Sequence, residues 1–308
     1  MQSLKYYVSH RNDFITGVIR KCFGESGILP SKMYLKLLFR VNLGYRLDLK
    51  RPKTFNQKIQ WLKLHDRNPL HTTMVDKLAV KNYVTKLIGA NYVIPLATTE
   101  SWKKFDDIDF DRLPDSFVLK TTHSGGNLGV IIVKDKNTFN KERAKQILDS
   151  SLKKNIYPGF REWPYKNVEP RIFAEKLLET PDGDLKDYKI FCFNGEPKFL
   201  FVASDRQAST ETCFDFYDIA FNHIPVKNGH PNAPKKIEKP LNWDKMLLLA
   251  RQLSKGEKFV RVDLYNVMGK IYFGEYTFFH NSGLVPFEPI EWDYKFGEAL
   301  QIPNISDK

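Results

Sequence analysis

The feature that most constrains the fold is a change of pattern near residue 115, from helical periodicity to a series of short strand-like runs. Asn194-Gly195 stands between two of these runs, which is a strong signal for a tight hairpin. Two helical segments, 141–153 and 243–254, interrupt the series. Hairpins mixed with helices predict an α+β fold rather than regular βαβ repetition. The runs lie at 116–121, 129–134, 171–178, 187–193, 197–203, 212–217, 258–265 and 271–279.

The first 65 residues are predicted to be mainly helical. Apolar residues recur at helical spacing over 12–22, and Ser31 is expected to cap a second helix that ends near Gly44. Thr54-Phe55-Asn56-Gln57 has the pattern of a capping box at the start of a third helix. A further amphipathic helix is predicted from Val75 to Ile88.

The composition fits a folded protein with an anionic partner. The chain has 308 residues, 42% of them hydrophobic, which is enough for a substantial core. No window reaches the 18 or so apolar residues of a membrane-spanning helix. The net charge is +12, but the lysines are dispersed and neither zinc-finger spacing nor an RNP-type aromatic signature occurs. We therefore expect no nucleic-acid partner.

Two features bear on location. Cys22, Cys192 and Cys213 are odd in number and lack metal-like spacing, and the last two lie in apolar runs, so we expect reduced thiols and a cytoplasmic protein without a signal peptide. The first predicted helix has Arg11, Arg20 and Lys21 near its ends, which would suit peripheral contact with an anionic membrane at its inner face. Packing of this helix on the body or on a partner subunit is the favoured interpretation.

Residues 261–279, RVDLYNVMGKIYFGEYTFF, are predicted to form two strands around a three-residue turn at 268–270. In that register two pairs share one face, Asp263 opposite Glu275 and Arg261 opposite Thr277. Opposed carboxylates repel, and Mg²⁺ held by carboxylates and completed by phosphates offsets this. Arg261 could then bind a phosphate or a developing oxyanion. The alternative is an exposed polar strand face with incidental charges.

Lys120 ends an apolar strand and is followed by a polar loop that holds Ser124, Gly125 and Gly126. Glycine-rich turns let backbone N–H groups approach a phosphate, and a lysine supplies charge. The spacing is not that of a P-loop, and an ordinary hairpin turn is the alternative. Further on, Glu175 interrupts an apolar run, where its carboxylate could meet an adenine edge or be a surface charge.

The order of these features resembles that of ATP-grasp enzymes, and of D-alanine–D-alanine ligases in particular. That order is a lysine, a lysine with a glycine loop, E-K-x-L, an acid, and R-x-D…E. The resemblance implies ATP as the nucleotide and Mg²⁺ as the metal, with Arg261 and Lys120 as catalytic residues. It implies nucleotide contacts from Lys77, Lys120, Ser124, Gly125, Gly126, Glu175, Lys176, Leu178, Asp187 and Lys189.

The implied metal ligands are Asp263, Glu275 and Thr277, and here the chain departs from the family pattern. The family has Asn two residues after the last Glu, whereas this chain has Thr277 there, so Thr277 or Asn281 is expected to complete the metal site. The N-terminus departs as well, because it is predicted to be helical where such ligases begin with a βαβ domain.

Within the superfamily the chain is most similar to the TupA-like branch, linked to teichuronopeptide and capsular polysaccharide synthesis, over about residues 30 to 300. DKLAVKNYV, FVLKTTHSGG, DYKIFCFNGEPKFL and RVDLY…GEYTFF carry this similarity. It implies an ATP-grasp fold, two α+β subdomains that clasp ATP, with a helical N-terminal extension. The expected divisions are 1–65 helical, 66–115 linking segment, 116–178 subdomain with the glycine-rich lid, and 179–308 subdomain with the Mg²⁺-binding strands.

The resemblance implies an ATP-dependent carboxylate–amine ligase that forms an amide through an acyl phosphate. The expected partners are an acidic polysaccharide, whose uronic acid supplies the carboxylate, and an amino acid or other amine. One alternative is a glycosyltransferase or glycan-binding protein of polysaccharide synthesis without ligase chemistry. A sugar kinase that uses the same ATP site is another.

Overall fold

Two antiparallel sheets organise the computed structural model, which describes residues 11–126, 128–181, 183–204 and 212–303. The strands in chain order are β1 (Leu96–Trp102), β2 (Phe117–Thr121), β3 (Val130–Val133), β4 (Ile172–Glu175), β5 (Asp187–Phe193), β6 (Glu196–Ser204), β7 (Cys213–Asp218), β8 (His223–Ile224), β9 (Phe259–Val267) and β10 (Lys270–Thr277). The smaller sheet has the order β1-β4-β2-β3, and the larger sheet has the order β10-β9-β5-β6-β7-β8. The predicted α+β architecture is confirmed.

Helices flank both sheets. They are α1 (Arg11–Ile19), α2 (Ser31–Leu43), α3 (Phe55–His65), α4 (Leu70–Val75), α5 (Ala79–Ile88), α6 (Lys141–Leu152), α7 (Ile156–Phe160), α8 (Trp243–Leu253) and α9 (Glu291–Ala299). The predicted capping box opens α3, where the Thr54 side chain accepts from the Gln57 backbone N–H and the Gln57 side chain accepts from Thr54. In the described part of the chain, no helix is long and apolar enough to cross a bilayer.

The single helix predicted from Val75 to Ile88 is wrong, because the chain breaks between α4 and α5. The Asp76 carboxylate accepts hydrogen bonds from the backbone N–H groups of Leu78 and Ala79 at 2.9 and 3.0 Å, which starts α5 anew. Lys77 lies in the break, and its backbone N–H donates to the Thr122 carbonyl at 2.9 Å. The break therefore fixes Lys77 beside the end of β2.

The sequence patterns also missed β1 and the helical turns within 155–170. Strand β1, LATTESW, is a polar edge strand with a register shift against β4 between Leu96 and Ser101, so it lacks regular alternation. It joins residues 96–102 to the sheet of β2, β3 and β4. The segment 155–170 holds α7 and a 3₁₀ turn at Trp163–Asn167.

The N-terminal helices share a core with the larger sheet. In α2, Tyr34, Leu35, Leu38 and Phe39 are fully buried in that core. At its centre the Phe55 ring of α3 lies 4.9 Å from the Phe259 ring and about 6 Å from four other phenylalanine rings. A separate core under the smaller sheet includes Trp102, Phe117, Leu119, Leu148 and Ile172.

The β9–β10 hairpin has the predicted residue pairing, but with a different turn and a bulge. Its turn has two residues, Met268 and Gly269, both with positive φ, so Val267 pairs with Lys270 and the predicted three-residue turn is wrong. The register then shifts by one residue at Gly274. Beyond this bulge Asp263 lies opposite Glu275 and Arg261 opposite Thr277, as predicted. The apolar face formed by Val260, Val262 and Leu264 is fully buried.

Candidate active site

A cavity of about 770 Å³ is lined by residues from both sheets and from α1. It collects side chains that are distant in the sequence but come from neighbouring strand ends. The predicted site residues that line it are Lys77, Lys120, Gly125, Gly126, Glu175, Asp187, Lys189, Arg261, Glu275 and Thr277. Asp263 is buried beside Arg261 and Lys189. The predicted constellation is therefore assembled in one place.

A second cavity of about 270 Å³ adjoins the first, and Lys120, Glu175 and Tyr265 border both. Lys176 and Leu178 line it, together with apolar side chains that include Ile94, Ile132 and Leu185. A largely apolar slot with a few polar groups is the usual setting for a planar ring. Lys176 and Leu178, predicted to contact the nucleotide, thus lie apart from the phosphate-side residues but next to them.

One row of charged side chains crosses three strands of the larger sheet. Lys189 on β5 lies opposite Asp263 on β9, which lies opposite Glu275 on β10. The Lys189 ammonium pairs with Asp263 and, at 2.7 Å, with Asp187. Lys77, held in the break before α5, pairs with Glu275. The row therefore places one lysine beside two adjacent carboxylates, and Lys77, from outside the sheet, pairs with the second of them.

Arg261 occupies the centre of this arrangement. Its Nε and Nη2 atoms donate to the two Asp263 carboxylate oxygens at 2.7 Å each, a bidentate pair. Nη2 also donates to Thr277 Oγ1 at 2.8 Å and lies 3.8 Å from the Glu275 carboxylate. Nη1 donates to His280 Nδ1 at 2.8 Å. The guanidinium plane is thus fixed from three sides.

Buried cations hold two carboxylates of the site, those of Glu275 and Glu175, ionised. Burial alone would raise the pKa of Glu275, but Lys77, Lys189 and Arg261 outweigh it and lower that pKa. Burial would likewise raise the pKa of Glu175, and Lys120 and Lys81 lower it to about 2 instead. Both groups therefore offer anionic oxygens at neutral pH.

Glu175 faces two lysines. Its carboxylate pairs with Lys120 and, at 2.9 Å, with Lys81 of α5, which also donates to the Ile94 carbonyl. The carboxylate expected to meet an adenine edge thus binds the two lysines. Lys81 was missed by sequence reasoning, although its spacing four residues after Lys77 on a predicted helix was a signal.

The glycine loop between β2 and β3 is anchored by its own side chains. Ser124 Oγ lies 2.5 Å from Thr121 Oγ1 and donates to the Leu128 carbonyl at 2.6 Å, so this hydroxyl is turned into the loop while Gly125 and Gly126 line the cavity. His123 is buried, and its Nε2 contacts the Ser151 and Lys154 carbonyls at 3.2 and 2.9 Å. It ties the loop to the end of α6. Asn127, in the same loop, lies outside the described residues.

A second set of residues was missed because it follows no regular pattern. His280 accepts from Arg261, and its Nε2 hydrogen bonds to the Asn228 side-chain oxygen at 2.8 Å, which fixes a neutral tautomer. Burial, Arg261 and Lys189 lower the pKa of His280 well below its usual value. Asn281, considered as a metal ligand, donates to the same Asn228 oxygen at 2.7 Å.

The same turn joins a buried lysine to the cavity. Asn281 and Ser282 both have positive φ, which is uncommon for these residues and marks a constrained backbone. Lys63 of α3 donates to the Ser282 carbonyl and hydroxyl at 2.8 Å each, and burial lowers its pKa to about 8 against the opposing effect of Glu162. Glu162 lines the cavity, and burial raises the pKa of its carboxyl.

The donor set at Asp263 and Glu275 fits Mg²⁺. Two carboxylates opposite each other, with the Thr277 hydroxyl next to them, are hard oxygen donors, and phosphates commonly complete such a site. The cations Lys77, Lys120, Lys189 and Arg261 around them match a polyphosphate in charge. Among the described residues a different trio, Asp66, His71 and Glu257, brings three ligand atoms within 4.8 Å of one another. There Lys258 binds Asp66 at 2.6 Å and His71 binds Glu257 at 2.7 Å, which makes an ion-paired cluster.

Comparison with solved structures gives partial overlaps. The D-alanine–D-alanine ligase of Bacillus anthracis with ATP is 17% identical over 67% of this chain and 53% of its own, with a TM-score of 0.37. The ligase of Helicobacter pylori is 14% identical over 80% and 69%, with a TM-score of 0.44. An N5-carboxyaminoimidazole ribonucleotide synthetase with ADP is 17% identical over 81% and 58%, with a TM-score of 0.40. The chain spans about half the length of the first of these structures.

Sequence comparison is more decisive. No curated protein matches the chain. The model of the TupA-like ATP-grasp family matches residues 57–301, most of the chain, including every residue of the row across β5, β9 and β10. The protein therefore belongs to the TupA-like ATP-grasp family.

Proposed function

We propose that the protein is an ATP-dependent ligase that joins a carboxylate to an amine through an acyl phosphate. The observation that carries the proposal is the row Lys189, Asp263 and Glu275 with Arg261 at its centre, beside one cavity. Lys189, Asp263 and Arg261 are buried, and Glu275 is partly buried. Phosphoryl transfer needs positioned cations and carboxylates more than a covalent catalyst. Membership of the ATP-grasp family supports the same chemistry.

In the first step an oxygen of the substrate carboxylate attacks the γ-phosphorus of ATP, and the bond from that phosphorus to ADP breaks. Lys77 and Lys120 are placed to hold phosphate oxygens, and the fixed Arg261 guanidinium stabilises the charge on the transferred group. Asp263 and Glu275, with Thr277 adjacent, would hold Mg²⁺. The metal, when bound, neutralises charge on the phosphate oxygens.

In the second step the amine nitrogen attacks the acyl carbon, and the carbon–oxygen bond to phosphate breaks. Phosphate leaves with the electron pair of that bond, and the nitrogen loses a proton. Glu162 lines the cavity with a pKa raised by burial, so it is suited to accept this proton. The products are the amide, ADP and phosphate.

We infer that the carboxylate belongs to a uronic acid of a capsular or other cell-surface polysaccharide, or of its precursor. The net charge of +12 favours an acidic polymer. Arg20 lines the cavity and its guanidinium stacks 4.2 Å from the Phe160 ring, a pairing of cation and aromatic face suited to an acidic sugar. An amino acid or another amine supplies the nitrogen.

The test is a screen of amino acids against uronic-acid glycans with ATP and Mg²⁺, followed by phosphate release and mass spectrometry. A ligase gives ADP and phosphate only with both acid and amine present. ADP and a phosphosugar without any amine would show the kinase instead. Turnover of a sugar nucleotide without ATP consumption would show a glycosyltransferase.

Two isosteric variants test the site within that screen. Glu275→Gln and Asp263→Asn should each reduce amide formation by about a hundredfold or more, because each removes a charge from the phosphate-side row. The matched control is Glu196→Gln, an exposed carboxylate on the same sheet that pairs with Arg251 at 2.8 Å. Full activity in both site variants would exclude the proposed chemistry.

A further inference from the structure

Helix α1 presents two different faces. Thr16 and Gly17 line the large cavity, and Ile19 is buried in the main core. Phe14 and Val18, one helical turn apart, point away from the protein, with 65% and 46% of their surface exposed. Most of the Phe14 side chain is therefore not used in the packing of the core.

The neighbouring helix and the connecting turn extend this apolar character. Helix α2 packs against α1 and exposes Met33 and Leu37, again one turn apart, and Ile28 in the turn between them is 74% exposed. We call Phe14, Val18, Ile28, Met33 and Leu37 the N-terminal apolar surface. Large exposed apolar groups concentrated on adjacent elements mark an interaction site more than scattered ones do.

Positive charge is concentrated in the same part of the chain. Residues 11–53 hold ten Lys or Arg and three Asp or Glu, a net +7 of the +12 of the whole chain. Lys32, Lys36 and Arg40 are exposed on α2, the helix that carries Met33 and Leu37. Within the described part of the chain, Lys32 and Lys36 form no ion pair. The apolar surface is thus flanked by cations that are free to meet an external anion.

We propose that α1 and α2 dock on an anionic phospholipid bilayer. An acidic glycan would satisfy the lysines but gives no apolar phase for Phe14, Ile28 or Met33. A bilayer offers both, because apolar side chains enter the interface while lysines meet anionic headgroups. Since the other side of α1 lines the cavity, docking in this orientation brings the reaction site close to the membrane. The inference does not depend on the reaction catalysed.

The experiment is co-sedimentation of the full chain with phosphatidylcholine vesicles, with and without about 30% phosphatidylglycerol. The wild type should bind only the anionic vesicles and should dissociate as salt is raised. Phe14→Ser/Val18→Ser/Met33→Ser should weaken binding about tenfold or more, as should Lys32→Glu/Lys36→Glu. The control is Leu241→Ser/Met268→Ser, which removes two apolar side chains elsewhere that are even more exposed.

Three outcomes would overturn the proposal. One is wild-type binding that does not distinguish anionic from neutral vesicles, or no binding to either. Another is binding that is lost in the lysine variant but kept in the apolar one, which would show a surface for acidic polymers. The third is an apolar variant that converts a dimer to a monomer and binds vesicles as before, which would show self-association. Thermal unfolding of each variant verifies that the fold is retained.

Discussion

Glu175 is a single buried carboxylate that forms ion pairs with two lysines from different elements, Lys120 of β2 and Lys81 of α5. Removing one partner of a buried ion pair is costly because the other charge stays buried and unpaired. Lys120, which should bind phosphate, and Lys81 beside it are therefore held in place by a residue of the neighbouring strand. Their geometry depends on that carboxylate as much as on their own backbone.

We predict that Glu175→Gln lowers the free energy of unfolding by about 3–5 kcal/mol, since it leaves two lysines without a counter-charge. Urea denaturation measures this change. The double variant Glu175→Gln/Lys81→Met should recover part of the loss because it removes one of the stranded cations. A single variant as stable as the wild type would contradict the ion-pair assignment.

The same residue predicts an acid-sensitive window. The folded pKa of Glu175 is about 2, below the unfolded value near 4.5. Its contribution to stability is therefore complete above about pH 4.5 and is lost as pH falls towards 2. The difference between wild-type and Glu175→Gln stability should shrink across that range, as followed by denaturation at several pH values. A constant difference would argue against the assignment.

His280 predicts a second window at higher pH. Its folded pKa is lowered, so the unfolded chain binds the proton more readily. Stability should then be complete above about pH 6.5 and should fall on acidification, by at most ~1.4 kcal/mol per pH unit from this group. His280→Gln should be less stable at neutral pH but should lose less between about pH 6.5 and 5. If the free energy of unfolding changed with pH in the same way for wild type and variant, the assignment of His280 as a buried neutral histidine would be wrong.

At the scale of elements, the β2–β3 hairpin depends on Gly129 more than on the glycines singled out in the sequence. Gly129 has φ +65°, and a Cβ there would lie 2.2 Å from Thr121 Oγ1 and 2.4 Å from Ser151 Oγ. Those hydroxyls hydrogen bond to each other at 2.9 Å and join the loop to α6. A side chain at Gly129 must separate them.

We predict that Gly129→Ala costs about 2–4 kcal/mol of stability through the lost hydrogen bonds and the strained φ. Gly126→Ala is the matched control, because Gly126 also has positive φ but a Cβ there meets nothing within 4 Å. It should cost only about 1–2 kcal/mol. Thermal unfolding of both variants gives the comparison, and equal losses would show that backbone strain alone matters.

The elements also show why part of the site could be predicted and part could not. The alternation of apolar and polar residues in 261–279 determines which side chains share a face of the sheet. The prediction that Arg261, Asp263 and Glu275 lie on one face was therefore correct. The turn length and the bulge at Gly274 offset each other. The alternation does not encode the turn length, and the isolated glycine inside the strand was a sign of the bulge that the prediction did not use. The break at Asp76 depends on a side-chain hydrogen bond that competes with helix continuation.

Residues whose role depends on contacts with distant parts of the chain could not be predicted from the sequence pattern. Lys63 and Ser282 meet only because α3 packs against the turn after β10, and His280 gains its role only from Arg261 beside it. No local spacing encodes such pairs. The prediction succeeded where strand order and alternation decide the outcome, and failed where tertiary packing decides it.

At the scale of the whole molecule, the N-terminal helices are part of the main core. Four fully buried side chains of α2 belong to it, each worth about 1.5–3 kcal/mol. Their sum is comparable to the total stability of a typical domain, about 5–15 kcal/mol. The helical region is thus structurally inseparable from the larger sheet.

We predict that a chain starting at Thr54 does not fold, whereas a chain starting at Ser31, which lacks residues 1–30 with α1 but keeps α2, retains the remaining secondary structure. The reason is that α2 carries the four fully buried residues, while α1 adds mainly Ile19 to the core. Circular dichroism and cooperative unfolding of the two truncated chains measure the outcome. Cooperative unfolding of the chain starting at Thr54 would show that residues 54–308 fold without α1 and α2, and would contradict the prediction.

The charged side chains of the site pair with one another, so its lysines and carboxylates have counter-charges before any ligand binds. Lys77 is balanced by Glu275, Lys120 by Glu175, Lys189 by Asp187, and Arg261 by Asp263. A triphosphate that binds alone must displace carboxylates from the lysines and leave those carboxylates unpaired. A divalent metal that binds alone must displace lysines from the carboxylates and leave those lysines unpaired. When nucleotide and metal bind together, the phosphates pair with the lysines and the metal pairs with the carboxylates, so no charge is left unpaired. We therefore expect nucleotide and metal each to raise the affinity for the other by the same factor.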